Sequence, residues 1–279
     1  MRWRPRNHAQ GVSRISRLIL LAIAVVLPAG IALAHDFWIE PSSFAPGAGA
    51  AIAIDLKVGE DFIGDSVPRR AGATDLFALY TGADSPRPIS GADGLTPAGV
   101  IAVDGKRTSI VAYSGTGGTV TLPADRFERY LESHGLEWVI RDRATRNESS
   151  EPGREKFYRH AKTLMSGVAT DPALGGKVLG QALEILVDGD PTQATALTVT
   201  GQILWQGTPL AGGLLIARNG TDPGQPLKTR TGPDGRFSLS FQGGDIWLLQ
   251  IVWMERAGWF SAEDWQSHWS SLTFRKPRM

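Results

Sequence analysis

Apolar and polar residues alternate along much of the chain beyond residue 50. Ile52, Ile54 and Leu56 alternate with small or polar neighbours over residues 51–58, which predicts a strand with one buried face. Similar short runs follow at residues 76–80, 99–103, 109–113 and 118–122. The 33 glycines and 17 prolines are scattered among such runs, and they are typical of turns between strands. Short strands at this spacing predict a β-sandwich.

One region has helical rather than strand periodicity. Its apolar residues fall three or four positions apart, at Phe127, Tyr130 and Leu131 and then at Leu136, Val139 and Ile140. Gly135 between the two sets is suited to end the first helix. We therefore expect a short helical insertion at about 124–143, whereas the pattern over 157–165 fits a strand or a helix equally well.

The second half of the chain returns to alternation. Apolar runs of strand length lie at 197–205, 213–217, 227–231, 236–241, 245–254 and 270–274. Pro233-Asp234-Gly235 predicts a hairpin turn between two of these runs, and the turn residues 188–191 mark a domain boundary. The sequence thus predicts a mainly β protein of two β-sandwich domains, residues 35–190 and an immunoglobulin-like domain at 196–279.

The first 34 residues have the order of a secretory signal peptide. Five arginines precede an apolar run at 18–27, and the small residues Ala32 and Ala34 end the segment at a cleavage motif. The run is shorter than the roughly 20 residues of a membrane span. We expect cleavage after Ala34, release into the periplasm of a Gram-negative bacterium and no membrane span in the mature form. A retained N-terminal anchor is the alternative.

Charge and cysteine content narrow the class of protein. The chain has 29 basic and 28 acidic side chains, and loss of five leader arginines leaves 24 and 28, a mature charge near −4. This balance argues against nucleic acid as a partner. With no cysteine, disulfides and thiolate metal sites are excluded, and a cysteine-free exported chain fits the periplasm.

Cleavage after Ala34 would turn His35 into a potential chelator. A free α-amino group and the imidazole Nδ1 of the same residue suit a divalent transition metal such as nickel, cobalt or copper. The candidate additional ligands are Glu40, His160 and His268. The alternative is that His35 merely begins the first strand, exposed and without a role. The predicted helix end accounts for His134 without a metal, because a cation is favoured there.

Sequence signatures of catalysis are lacking. The chain has neither a Gly-x-Ser-x-Gly elbow nor a phosphate-binding loop followed by lysine, so we predict that it is not an enzyme. Carboxylates distant in sequence could still meet as a glycosidase pair. Five tryptophans lie in the last 33 residues, Trp247, Trp253, Trp259, Trp265 and Trp269. We expect them to pack in the core or between domains, with a stacking platform for sugars or a partner-binding surface as the alternative.

Several motifs together resemble a known family. They are 35–41 directly after an Ala-x-Ala site, Val58-Gly59-Glu60 with 67–69, 127–131, 207–210, 232–237 and the closing 264–274. The chain resembles exported bacterial proteins of unassigned function that are grouped by similarity with periplasmic components of nickel and cobalt ABC transport systems. The resemblance implies a β-rich periplasmic protein that handles metal or assists its uptake. Where relatives often have a histidine before methionine, this chain has Trp253-Met254.

These observations give three candidate functions. The preferred one is a periplasmic, non-enzymatic protein that binds nickel, cobalt or copper through His35 and works with a metal-transport system or another envelope protein. The second is an envelope adaptor or structural module whose tryptophan-rich C-terminal sandwich binds a protein or a glycan. The third, a copper-dependent oxidase with an N-terminal histidine brace, requires a second histidine beside His35.

Overall fold

The computed structural model describes residue 1 and residues 35–82, 85–241 and 245–277. The predicted signal peptide, residues 1–34, lies outside the described residues except for Met1. From His35 onward, the described residues belong to one compact unit.

Strands dominate the described part of the chain. They are β1 Asp36–Pro41, β2 Ala51–Glu60, β3 Ile63–Val67, β4 Thr74–Thr81, β5 Arg87–Pro88, β6 Gly99–Ala102, β7 Ser109–Gly115, β8 Gly118–Leu122, β9 Gly153–Met165, β10 Leu183–Val187, β11 Thr198–Trp205, β12 Thr208–Pro209, β13 Leu214–Asn219, β14 Leu227–Arg230, β15 Arg236–Ser240, β16 Ile246–Arg256 and β17 Trp265–Arg275. Helices α1 Ala124–Ser133 and α2 Glu137–Thr145 lie between β8 and β9.

These elements confirm the mainly β fold with a short helical insertion. The first helix ends before Gly135, whose φ of 69° is the left-handed conformation that glycine adopts readily. The ambiguous run at 157–165 lies within strand β9, where residues 157–164 pair with β17 and residues 160–165 pair with β7. Both partner strands are distant in sequence, so local periodicity alone could not choose between strand and helix.

The strands form three sheets. The nine-stranded central sheet has the order β14-β13-β16-β17-β9-β7-β4-β5, and β8 also pairs with β9. In the N-terminal sheet β2 pairs with β1, β3 and β6, and in the C-terminal sheet β11 pairs with β10, β12 and β15. Among these pairings only β17 with β9 is parallel within the described residues.

The central sheet has two covered faces. On the first face, Phe37 and Ile39 of the N-terminal sheet pack against Tyr113 and Ala161 of the central sheet. The helices cover another part of this face, packing against Val252, Met254, Trp265 and Trp269. On the second face, the C-terminal sheet packs against alternate residues of the same central strands, among them Ala112, Leu164, Leu249 and Leu272. Period-two alternation in each strand thus supplies apolar residues to both faces.

Strand pairing in the second half of the chain differs from the sequence prediction. The predicted hairpin around Pro233-Asp234-Gly235 is wrong: the turn forms, with Gly235 N–H donating to the Gly232 carbonyl at 2.9 Å, but β14 pairs with β13 whereas β15 pairs with β11. The chain crosses there from the central to the C-terminal sheet. Strands from both sides of residues 190–196 share the central sheet, and the division into two immunoglobulin-like domains stays a prediction.

Candidate functional site

His35 lies directly before β1, beside the end of β2. Because Asp36 is paired with Gly59, His35 is placed next to Glu60. The His35 Nδ1 atom is 3.2 Å from Glu60 Oε1, with 26% of the imidazole and 70% of the carboxylate side chain exposed. Nδ1 itself is buried and has no aligned hydrogen bond with the described residues. A buried imidazole nitrogen without such a partner is uncommon and calls for an explanation.

The spacing of these two atoms suits a shared metal ion. Nitrogen and oxygen ligands lie about 2.0 to 2.2 Å from zinc-like ions, so adjacent ligands are about 3 Å apart. Within the described ranges no group of three or more histidine, aspartate or glutamate side chains could hold a metal. The pair would therefore need a donor from elsewhere, and a freed α-amino group of His35 would supply it.

Glu60 also lines a cavity of about 380 Å³ on the first face. Its charged and polar lining residues are Asp36, Glu60, Asp61, Arg126, Arg129, Tyr130, Ser133, His134, Arg218 and Lys228. They come from β1, the end of β2 and the turn after it, from α1 and the residue that follows it, and from strands β13 and β14. The cavity is consequently bordered by carboxylates on one side and by basic side chains on the others.

Burial shifts the pKa of three titratable groups in the cavity wall, Asp36, Tyr130 and His134. Desolvation raises the pKa of Asp36, an effect opposed chiefly by a hydrogen bond from Gln250. Burial lowers the pKa of His134 to about 4, so this imidazole is neutral at pH 7. His134 Nδ1–H donates to the Tyr130 carbonyl at 3.0 Å, which leaves Nε2 as the acceptor nitrogen.

Sequence reasoning missed Glu60 and His134 as members of this region. Glu60 was not among the candidate ligands, and the position of His134 at a helix end was sufficient to account for that residue. The Asp36 to Gly59 pairing that places Glu60 beside His35 depends on strand register. The Val58-Gly59-Glu60 motif was the available signal, but no feature of that motif specifies the register.

The structure separates Glu40 from His35. Five residues along a strand span about 16 Å, and residues an odd number apart point to opposite faces. The Glu40 carboxylate instead accepts a hydrogen bond from Trp38 Nε1 at 3.1 Å. Glu40 therefore cannot join His35 around one metal ion in this arrangement.

His160 and His268 lie together, but on the second face of the central sheet. His160 Nε2 and His268 Nδ1 are 3.1 Å apart, and His160 Nδ1 lies 3.1 Å from Ser114 Oγ. Phe37 and Ile39 fix β1 on the first face, so the central sheet stands between this pair and His35. The expectation that either histidine would complete a site at His35 is not met, because the side chains of His160 and His268 both lie on the second face.

The histidine pair is enclosed and uncharged. Its two rings are 6° from parallel with centroids 5.4 Å apart, and Tyr158 and Trp205 pack on His268 at 4.7 and 4.8 Å. Burial lowers the pKa of His160 to about 4, and burial with the neighbouring His160 lowers that of His268 to about 3. Neutral imidazoles can share one N–H as donor and acceptor, which makes this pair a structural hydrogen bond.

The C-terminal tryptophans divide into packed and exposed residues. Trp247, Trp265 and Trp269 are buried, and Trp253 is half-buried. Trp259 and the adjacent Phe260 are fully exposed between β16 and β17. The Ser261 N–H donates to the Gly258 carbonyl at 2.8 Å, so these two aromatic residues occupy the centre of a four-residue turn.

Fold and site together define a β-rich protein with stacked sheets and an ionic cavity beside the start of its first strand. The family model of a domain of unknown function, DUF4198, matches residues 32–255, and the chain belongs to this family. The resemblance to a family of unassigned function is thus confirmed, while its grouping with nickel and cobalt transport stays a prediction.

Comparisons with curated proteins and solved structures identify no relative of known function. No curated protein matches the chain. The solved D0-D1 domain of intimin is 12% identical, with 86% of this chain and 97% of that one covered, at a TM-score of 0.19. A similarity at that score supports no structural conclusion. None of the helices in the described residues has the length and apolar character needed to cross a membrane.

Proposed function

We propose that the protein is a periplasmic, non-enzymatic accessory protein that binds a divalent transition metal, nickel, cobalt or copper, and assists its uptake. The ligands are the freed α-amino group and Nδ1 of His35 together with the carboxylate of Glu60. The observation that carries the proposal is the 3.2 Å separation of Nδ1 and Glu60 Oε1, with Nδ1 buried and lacking an aligned hydrogen bond.

The chemistry of this donor set favours late first-row divalent ions. Amine and imidazole nitrogens bind copper, nickel and zinc well, and a carboxylate oxygen adds charge that complements the cation. The carboxylate side chain is 70% exposed, so an ion can enter and leave without opening the core. Exchangeable binding is what a protein that passes metal to a transport system requires.

Calorimetric titration with nickel, cobalt and copper tests this function. The protein is prepared with His35 as its first residue, verified by mass, and compared with the same protein after acetylation of its α-amino group. Glu60→Gln removes the carboxylate charge, and Glu40→Gln is the matched control on the same sheet. We expect at least a tenfold loss of affinity on acetylation or at Glu60, since outer-shell changes alone commonly cost 10- to 100-fold. Equal binding by the free and acetylated forms contradicts the proposal.

A second candidate is favoured by one specific observation. Trp259 and Phe260, fully exposed at a turn, suit an envelope adaptor that stacks aromatic side chains on a glycan. Sedimentation with purified peptidoglycan tests it. Trp259→Ala/Phe260→Ala should abolish co-sedimentation, whereas Val168→Ala, also at an exposed position, should not. Absence of co-sedimentation in the unaltered protein rules out peptidoglycan as the partner.

A further inference from the structure

Two of the four basic side chains that line the cavity beside Glu60 have no ion-pair partner among the described residues. Arg218 Nη2 pairs with Asp61 at 2.8 Å, and Arg129 Nη2 pairs with Asp125 at 2.9 Å. Arg126 and Lys228 also line the cavity, and neither has an ion pair with the described residues. Arg126 and Lys228 are therefore available to contact a ligand.

Arg218 provides an independent sign of a missing acceptor. Its side chain is only 15% exposed. Its Nη1 donates to the Pro223 carbonyl at 3.1 Å and its Nη2 to Asp61, but the buried Nε has no hydrogen-bond partner among the described residues. An unsatisfied buried guanidinium N–H is costly, and a carboxylate oxygen is the acceptor that best matches it.

Metal binding would make the cavity still more positive. Four basic and three acidic side chains line it, and a divalent ion held by His35 and Glu60 adds two positive charges at its edge. Like charges brought together in a partly buried site repel, so an anion would stabilise the loaded form.

We propose that this cavity binds a small polycarboxylate chelator, so that the metal is held as its carboxylate complex. The proposal rests on the proposed metal function. Part of the chelator completes the coordination of the ion at His35 and Glu60, and a free carboxylate lies against Arg126, Lys228 and Arg218 Nε. A volume of about 380 Å³ is ample for a compound of the size of citrate.

The test uses nickel and radiolabelled citrate with the processed protein. Nickel alone, citrate alone and the preformed nickel–citrate complex are titrated by calorimetry, and label retained with protein is counted after gel filtration. Arg126→Gln/Lys228→Gln is compared with Arg70→Gln/Lys106→Gln, which removes the same charge from exposed positions outside the cavity.

We expect label to be retained only when nickel is present, at one citrate per bound nickel. The cavity variant should bind the complex at least tenfold more weakly than the control variant, and both should bind nickel alone with equal affinity. If citrate only removes nickel from every protein alike, or if both variants bind the complex equally, the chelator proposal is overturned while the metal function stands. Failure of nickel alone to bind in a His35-dependent way overturns the metal function itself.

Discussion

The histidines on the two faces of the central sheet have opposite environments. On the first face, His35 is partly exposed, lies 3.2 Å from a solvent-exposed carboxylate, and has a buried Nδ1 without an aligned hydrogen bond. On the second face, His160 and His268 are each 6% exposed, and they form a hydrogen bond with one another and are surrounded by aromatic and polar side chains.

This contrast shows why a count of histidines does not locate a metal site. Desolvation keeps the second-face pair neutral, and its nitrogens already have partners, so a metal would have to displace a satisfied hydrogen bond. On the first face the nitrogen lacks such a bond, and a carboxylate is already within range. The available donor, rather than the residue type, makes His35 the better candidate.

The largest expected effect is on the free energy of unfolding, and it tests whether the second face contributes to stability but not to metal binding. Lys162 and Glu184 form a buried ion pair there, 3.1 Å apart and at most 2% exposed. Lys162→Met should lower the free energy of unfolding by about 3 to 5 kcal/mol, because it leaves Glu184 buried without its counter-charge. Urea denaturation measures the loss, and Lys162→Met/Glu184→Gln should restore part of it. Nickel affinity at His35 should stay within about twofold, since distant sites act independently.

The next effect is a dependence of stability on pH. The folded state lowers the pKa of His160 to about 4 and of His268 to about 3 from the ordinary 6.5, so the unfolded chain binds more protons between those values. Stability is complete above about pH 6.5 and falls with acidification, by about 2 kcal/mol per histidine between pH 7.5 and 5.

The matched variant His160→Gln/His268→Gln isolates this contribution. In urea titrations at both pH values, it should lose distinctly less stability than the unaltered protein on acidification. Its nickel binding should still weaken with acid, because the first-face ligands His35 and the α-amino group must release protons to bind metal. An identical pH dependence of stability in both proteins would refute the neutral, buried state of the pair.

Most of the secondary structure followed from local patterns, whereas the site did not. Alternation at Ile52, Ile54 and Leu56 and helical spacing at Phe127, Tyr130 and Leu131 each identified an element, because one face of it is buried. Local patterns could not identify the strand with which each strand pairs. The crossing at Pro233-Asp234-Gly235 and the placement of Glu60 depend on contacts between distant segments, which carry no local periodicity.

The smallest expected effect concerns the carboxylate that sequence reasoning assigned to the metal. Glu40→Gln should change nickel affinity by less than about twofold, because its side chain lies far along β1. It should reduce stability by about 0.5 to 1.5 kcal/mol at most, since it weakens one partly buried hydrogen bond from Trp38. Calorimetry and urea denaturation provide the two values, and a tenfold loss of affinity would place Glu40 in the site after all.

Electron paramagnetic resonance of the copper-loaded protein tests the central claim most directly, because it counts the nitrogen donors on the ion. For protein that begins at His35, two nitrogen donors are predicted, the α-amino group and the imidazole Nδ1, and the spectrum should change when one glycine is added before His35 or when Glu60 is replaced by glutamine. An unchanged spectrum in the extended protein, or the absence of nitrogen donors in the processed one, would contradict the claim.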